Sequence, residues 1–258
     1  MNIFRRIKDI FERRKALREI YDDINTLDEV LLEKRLEIFS EMITPRLAEI
    51  GLRNWDGKYF WFSDFNQDGI KHVVHYETFK YFGGSFSFGN CYDFVPTISS
   101  KKLVYHRTDK STKIIYYKKF PGWQQSDDND SIRNIDKIST VNEEKLRKSI
   151  QEVFDRNLPQ LKQWFDQNQT LEQNISNILS EKDVEEKKEK KRQIYRVISL
   201  NYILAFLYAK KSDFGSAQTY IEKHYDRKIL NEQNRKIEFD LVNEKIQSLK
   251  NATTQKRS

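Results

Sequence analysis

The fold is decided by the stretch YFWFSDFNQDGIKHVVHYETFKYFGGSFSFGNCYDF, residues 59–94. Two runs within it, Tyr59–Phe65 and Ile70–Phe79, are rich in aromatic and β-branched residues, which favour β-strands. Between them, the sequence Asn-Gln-Asp-Gly at 66–69 favours a hairpin turn, because glycine adopts positive φ without a steric penalty. We therefore predict two paired antiparallel strands.

A third strand is predicted in the run Ser85–Phe94. Side chains alternate between the two faces of a strand, so Phe86 and Phe88 share one face while Ser85 and Ser87 share the other. This alternation predicts a sheet with one face buried against the rest of the protein.

Helical patterns precede the sheet. Apolar residues recur every three or four positions in residues 3–24 and again in 27–50, which predicts two amphipathic N-terminal helices. Thr26 and Glu29 have the spacing of a capping box at the start of the second helix. Pro45 is expected to kink or restart that helix.

The chain is predicted to be helical again from Asn142 almost to its end. Leu158-Pro159 is expected to break this helical region, and 170–173 has the pattern of a capping box. The sequence thus predicts an α+β protein with N-terminal helices, a central antiparallel aromatic-rich β-sheet and a C-terminal all-α region. We expect two domains, residues 1–140 and 141–258.

Composition limits the class of protein. The 258 residues are 38% hydrophobic and 13% aromatic, which is enough for a packed core. No apolar run approaches 18 residues, so no membrane span is expected. The N-terminal segment lacks the apolar core of a secretory signal, and the single cysteine, Cys91, excludes an internal disulfide framework. We expect a cytoplasmic protein.

A helical hairpin is predicted at 201–225. Six of its residues have the spacing of one tetratricopeptide repeat: Leu204, Ala205, Tyr208, Ala217, Tyr220 and Ile221. Asn201 stands where such a repeat usually has Trp, Ile229 stands where it has Pro, and no second copy lies one repeat length away. The resemblance implies a closely packed helix pair. The pair is either scaffold or a partner-binding groove lined by Tyr208, Tyr220 and Ile221.

A second resemblance spans more of the chain. It rests on Pro45-Arg46-Leu47, Gly51-Leu52, Tyr59-Phe60-Trp61, Gly84–Gly89 and Leu158-Pro159. Their order is similar to that in an uncharacterised bacterial family of unknown function, in which a helix leads into an antiparallel sheet and helices follow. The resemblance implies this fold and a bacterial cytoplasmic origin, and it implies no catalytic residues.

Positive charge is concentrated in residues 101–119. A hairpin is predicted there, with 103–108 paired to 112–117. Its cations could follow a phosphate backbone while neighbouring tyrosines stack on bases. The candidate nucleic-acid-binding residues are Lys101, Lys102, Arg107, Lys113, Lys118 and Lys119. Protection of an exposed strand edge, or an acidic protein partner, would explain the same lysines.

Acidic and histidine residues near the first turn suggest a metal-dependent enzyme as a third hypothesis. Asp64 and Asp68 match the opening of a calcium loop, but His75 stands where a bidentate glutamate is required. A metal-dependent enzyme would use Asp64, Asp68 and Glu77. Strand alternation places His72 and His75 on opposite faces, which argues against a shared zinc ion.

His75 and Glu77 are expected to share a strand face. They would form either an acid/base couple or an ordinary polar pair. We expect no cofactor. The sequence favours a non-catalytic protein-binding or adaptor protein that acts through its C-terminal helical surface. Nucleic-acid binding through 101–119 is the alternative.

Overall fold

The computed structural model describes residues 29–79, 83–120, 123–125, 132–187, 198–226 and 232–255. The helix predicted at 3–24 and the capping residue Thr26 lie outside this described part. Along the chain, the described elements follow the predicted order of helices, then strands, then helices.

Seven α-helices are present in the described residues. They are α1 (Leu32–Met42), α2 (Thr44–Glu49), α3 (Glu143–Asp166), α4 (Leu171–Glu186), α5 (Leu200–Lys210), α6 (Phe214–Tyr225) and α7 (Glu232–Gln255). A short 3-10 turn covers Asp109–Ser111.

The strands are β1 (Asn54–Trp55), β2 (Phe60–Phe62), β3 (Ile70–Thr78), β4 (Gly83–Tyr92), β5 (Thr97–Ser99), β6 (Lys102–Val104), β7 (Tyr116–Lys119), β8 (Trp123–Gln125), β9 (Ile132–Asn134) and β10 (Ile138–Ser139). Six of them form the main sheet in the order β1-β2-β3-β4-β10, with β7 also paired to β4. Strands β5 and β6 form a separate pair, as do β8 and β9. All pairings are antiparallel.

The first predicted hairpin is confirmed. Strand β2 pairs with β3, and the turn between them closes on Asn66, whose side-chain oxygen accepts hydrogen bonds from the backbone N–H groups of Asp68 and Ile70. Gly69 has φ of +77°, and a Cβ there would overlap the carboxylate of Asp93. The turn therefore requires glycine for both its backbone conformation and its close contact with Asp93, the residue after β4.

The predicted pairing of 103–108 with 112–117 is wrong. Strand β6 pairs with β5, and β7 pairs with the middle of β4. The loop between β6 and β7 makes other contacts. Nδ1 of the His106 ring forms a hydrogen bond with the carbonyl oxygen of Ser111, and Lys71 donates a hydrogen bond to Asp109. These contacts bring the loop onto the sheet and do not form a hairpin.

Two of the predicted helix starts are confirmed, whereas the helix predicted from residue 27 begins only at Leu32, with Glu29 and Val30 outside any helix. Asn142 caps α3 through Lys145, and Thr170 forms a capping box with Gln173 at the start of α4. Pro45 lies in the first turn of α2, where its missing N–H costs no helical bond. The predicted break at 158–159 is wrong, because α3 continues through Pro159.

One face of the main sheet, called here the inner face, packs against α1 and α3. Its large residues include Tyr76, Phe86 and Phe88, which join one hydrophobic cluster with Phe39 of α1 and Phe154 of α3. This cluster includes residues from both sides of position 140. The division into domains 1–140 and 141–258 stays a prediction.

The C-terminal helices form a second hydrophobic cluster with the end of β4. Helix α5 lies at its centre, with almost every residue from Leu200 to Ala209 buried. Strands and helices thus segregate along the chain, which confirms the α+β class. Within the described residues, no helix combines the length and apolar character needed to cross a membrane.

Candidate functional site

The sheet face opposite α1 and α3, called here the outer face, carries a row of four cross-strand neighbours. Phe60 of β2 lies opposite His75 of β3, His75 lies opposite Ser87 of β4, and Ser87 lies opposite Lys119 of β7. Residues directly opposite in an antiparallel sheet share a face and lie within side-chain contact distance. The row therefore places an aromatic ring, an imidazole, a hydroxyl and an ammonium group side by side.

A cleft of about 430 Å³ lies over this row. Its other walls come from the loop that precedes β7 and from the chain at the start of α5. The apolar lining outside the row comprises Ile114, Ile115, Ile198 and Ile203. Glu77, Lys113 and Tyr117 complete the lining. This size falls within the range of small-molecule sites.

A hydrogen bond joins Tyr117 and Glu77, two of the polar residues that line the cleft. The Tyr117 hydroxyl donates to Oε1 of Glu77 over 2.9 Å. Burial, followed by the nearby Glu77 carboxylate, raises the pKa of Tyr117, so the phenol stays protonated and remains a donor. One oxygen of Glu77 is thereby already engaged.

The His75 ring stacks on Phe60, with ring centroids 4.0 Å apart and planes 14° apart. Its Nδ1 lies 3.9 Å from Oε1 of Glu77, which is beyond hydrogen-bond distance. Burial lowers the pKa of His75, while Glu77 opposes this shift less strongly. The predicted shared face of His75 and Glu77 is confirmed, and the pair is a polar contact without a direct hydrogen bond.

The six basic candidate residues are distributed over separate surfaces. Lys113 and Lys119 line the cleft, whereas Lys118, on the opposite face of β7, pairs with Glu181 of α4. Arg107 donates to the carbonyl oxygen of Asp93 and lies over the Tyr105 ring. The remaining two, Lys101 and Lys102, lie exposed at the turn between β5 and β6.

The carboxylates of the metal hypothesis have separate partners. Asp64 accepts a hydrogen bond from Asn54, and Asp68 accepts one from the backbone N–H of Leu171 at the start of α4. Glu77 lies in the cleft. In the part of the chain that the structure describes, no three histidine, cysteine, aspartate or glutamate residues are grouped to hold a metal ion.

His72 lies on the inner face, opposite to His75 as the alternation predicts. It stacks on Phe165, and its Nδ1 lies 2.8 Å from Oδ1 of Asn90. Asn90 in turn donates to Asn174 of α4, which also accepts a hydrogen bond from Tyr92. This buried network joins the sheet to α4, which gives His72 a structural role.

Cys91 is buried on the outer face. Its Sγ donates to the carbonyl oxygen of His106, and burial raises the pKa of the thiol to about 11. A protonated, buried thiol is a poor nucleophile.

The C-terminal candidates lie in the hairpin of α5 and α6. Ile221 is fully buried between the helices, as is Ala217. Tyr208 and Tyr220 are half-buried and stack face to face, with centroids 5.5 Å apart and planes 4° apart. Lys223 lies over the Tyr220 ring at 5.2 Å. The hairpin itself is present, while its relationship to tetratricopeptide repeats stays a prediction.

The sequence did not identify Phe60, Ser87, Ile198 or Ile203 as site residues. Phe60 and Ser87 could in principle have been identified from the sequence, because period-two alternation and the predicted β2–β3 hairpin place them near His75. The two isoleucines come from a segment more than a hundred residues away. Local patterns cannot reveal such an approach.

No known protein family, curated protein or solved structure matches this chain.

Proposed function

We infer that this chain is a non-catalytic binding protein whose ligand site is the cleft over the outer face of the sheet. The observation that carries this proposal is the convergence of apolar walls from distant segments on one polar row. Ligand sites commonly combine mostly apolar walls with a few placed polar groups. A bacterial cytoplasmic location, expected from the sequence, belongs to the same proposal.

The lining supports a ligand with an apolar body and an acidic group. Ile114 and Ile198 would contact the body, together with the stacked rings of Phe60 and His75. Lys113 is exposed at the cleft, and no ion pair with the other described residues engages it. Its ammonium group would attract the acidic group.

The geometry favours binding over proton transfer. Glu77 already accepts a hydrogen bond from Tyr117, and His75 does not reach Glu77 within hydrogen-bond distance. A general base is typically oriented by a close partner and lies within reach of its substrate proton. The polar floor is better suited to orienting a ligand.

Anilinonaphthalene sulfonate, an apolar ring system with an acidic group, is a direct probe of this cleft. Its fluorescence should increase with wild-type protein, and the Lys113→Glu variant should bind it at least about tenfold more weakly, since the charge at the acidic group is reversed. Lys101→Glu makes the same charge change at an exposed turn outside the cleft and should leave binding unchanged.

Ile198→Asp provides a second variant that alters the apolar wall. Circular dichroism of each variant checks that the fold is retained, because partly unfolded proteins also bind this probe. Equal binding by wild type, Lys113→Glu and Ile198→Asp would exclude the cleft as the ligand site.

Protein recognition by the α5–α6 hairpin is a second candidate function. The stacked pair of Tyr208 and Tyr220 with Lys223 beside it supports this possibility, because tyrosines often contribute much of the binding energy at protein interfaces. Tyr220→Ser should reduce capture of a specific partner from lysate, whereas Thr219→Ala, an exposed change on the same helix, should not. Equal capture by the two variants would reject this surface.

Nucleic-acid binding through 101–119 has less geometric support. The cations of this segment lie on both faces of β7 and on a separate two-stranded turn. A binding constant that falls steeply with salt, and that falls further in a Lys101→Glu and Lys102→Glu double variant, would support it.

A further inference from the structure

Two cations share one aromatic ring where the chain after β6 lies beside α7. The guanidinium carbon of Arg107 lies 4.2 Å from the centre of the Tyr105 ring, and Nζ of Lys245 in α7 lies 6.0 Å from the same centre. These distances place the two positive charges within about 10 Å of each other, roughly the Debye length at 0.1 M salt. The charges therefore repel each other in the free protein.

A third cation belongs to the same surface. Nε of Arg107 donates to the carbonyl oxygen of Asp93 over 2.9 Å, and the next residue, Phe94, has Nζ of Lys210 over its ring at 5.0 Å. None of the three cations forms an ion pair with a carboxylate in the described part of the chain. The surface therefore has a local excess of positive charge.

The guanidinium of Arg107 is held in place before any partner binds. Its Nε is engaged by the Asp93 carbonyl, and its plane lies over the Tyr105 ring, while the side chain as a whole is exposed. Neither Nη atom has a hydrogen-bond partner among the described residues. The two Nη groups thus form a fixed fork in solvent, and such a fork matches the two oxygens of a carboxylate.

The neighbouring apolar and aromatic residues favour a protein segment over a nucleic acid. Val104, directly before Tyr105, is a large hydrophobic residue with 39% of its surface exposed. Arg107 covers a face of the Tyr105 ring and Lys210 covers a face of Phe94, so these faces are closed to the base stacking that strengthens binding of single strands. An acidic protein segment supplies both carboxylates and an apolar side chain.

We propose that this surface, called here the Arg107 surface and formed by Val104, Tyr105, Arg107, Lys210 and Lys245, binds an acidic segment of a partner protein. A carboxylate of the segment occupies the Arg107 fork, and the two lysines neutralise neighbouring carboxylates. Val104 contacts an apolar side chain of the segment. None of these five residues lines the cleft over the sheet, so this proposal is independent of the ligand proposed there.

Fluorescence anisotropy with a rhodamine-labelled peptide of ten glutamates tests the proposal on the full chain. Wild-type protein should bind this peptide with an affinity that falls as salt rises, and should not bind a peptide of ten glutamines with the same label. Arg107→Gln should weaken binding about tenfold or more, the scale of one charge-assisted pair.

Three further variants separate the geometry of the surface from net charge. Arg107→Lys keeps the charge but loses the fork, and Tyr105→Leu keeps every charge but removes the ring beneath Arg107, so both should bind more weakly than wild type. Lys58→Gln removes one charge at an exposed turn near the other end of β3, about 20 Å away along the strand, and should change affinity less than about twofold. The melting temperature of each variant checks that the fold is retained.

A rhodamine-labelled oligonucleotide of ten thymidines distinguishes a protein partner from a nucleic acid. Weaker binding of the oligonucleotide than of the glutamate peptide would support the proposal, and tighter binding would overturn it in favour of a nucleic acid. Absence of peptide binding by wild type, or equal binding by wild type and Arg107→Gln, would also overturn it. Equal weakening in Lys58→Gln and Arg107→Gln would show that net charge alone governs binding and would reject the Arg107 surface.

Discussion

The two faces of the main sheet are built from the same strands but have different chemistry. On the inner face, Phe86 contacts the rings of Tyr76, Phe120 and Phe154 at centroid distances of 5.3, 5.4 and 5.1 Å. On the outer face, the same part of β4 presents Ser85 and Ser87. Large side chains therefore anchor the helices on one side, and small ones leave space for a cleft on the other.

The difference separates a face that contributes mainly to stability from the face on which the proposed ligand site lies. Aromatic residues bury large areas and gain further from edge-to-face contact. Among the described residues, the outer face carries a small hydrophobic cluster of Phe62, Val73 and Cys91, covered in part by Phe60, Phe65 and Ile114. Its row of Phe60, His75, Ser87 and Lys119 contributes little aromatic packing in comparison.

The strongest test of this comparison is Phe86→Ala. It removes a buried ring from the inner face and should lower the free energy of unfolding by about 3–5 kcal/mol. Phe60→Ala removes the same side chain from the half-buried outer face and should cost less, since Phe60 is partly exposed. Urea unfolding monitored by circular dichroism measures both. Equal losses would contradict the assigned difference between the faces.

Gly89→Ala tests whether the outer face of β4 requires small residues. A Cβ at this position would overlap the carbonyl oxygen of Tyr116, so β7 could not keep its pairing. We expect a loss of about 1–3 kcal/mol in unfolding free energy, typical of overpacking. Ser87→Ala, on the same strand and face, is the matched control and should have a smaller effect. A neutral Gly89→Ala variant would show that β7 can shift.

The smallest expected effect is the pH dependence of stability that the two histidines of β3 contribute. Burial lowers the pKa of both His72 and His75 below the ordinary value of 6.5, with Asn90 opposing the shift at His72 and Glu77 opposing it at His75. Below about pH 6.5 the unfolded chain therefore binds more protons than the folded protein does. Stability is therefore full above that pH and decreases below it, until the folded-state pKa values are passed.

The measurement is urea unfolding at pH 7.5 and pH 5.5. His72→Gln should weaken the acid dependence more than His75→Gln, because His72 is enclosed by Phe165 and the buried asparagine network. A larger change in His75→Gln would place the dominant acid-sensitive group on the outer face.

Much of the sheet could be predicted from local sequence. The Asn66–Gly69 turn encodes the pairing of β2 with β3, and the alternation at Phe86 and Phe88 encodes which face of β4 carries the large side chains. The start of the helical region at Asn142 and the capping box at Thr170 were also predicted from local signals. Each depends on residues close together in the chain, so no distant contact is needed to identify it.

Predictions failed where distant contacts compete with local patterns. Residues 103–108 and 112–117 are separated by a plausible turn, yet β7 gains more by pairing with β4, and the intervening loop is held by Lys71. Pro159 is tolerated within α3, which packs its apolar side against the sheet on both sides of the proline. Tertiary packing routinely outweighs such local preferences.

The candidate site was only partly visible in the sequence. The shared face of His75 and Glu77 follows from strand period alone. The approach of Lys119 follows from the β4–β7 pairing, and that of Ile198 follows from the packing of the C-terminal helices. Neither the β4–β7 pairing nor the packing of the C-terminal helices has a local sequence signal.

Local patterns were enough to predict an α+β protein with a hairpin at 66–69, because strand alternation, turn glycine and helix caps act over a few residues. What lies over the outer face, and which cations are near one another, depends on contacts between segments that are distant in the chain. Adjacent Lys118 and Lys119 show why: strand geometry directs them to opposite faces, so one pairs with Glu181 and the other lines the cleft. The charge pattern of the sequence does not show which lysines line the cleft, because the cleft is formed by segments that are distant in the chain.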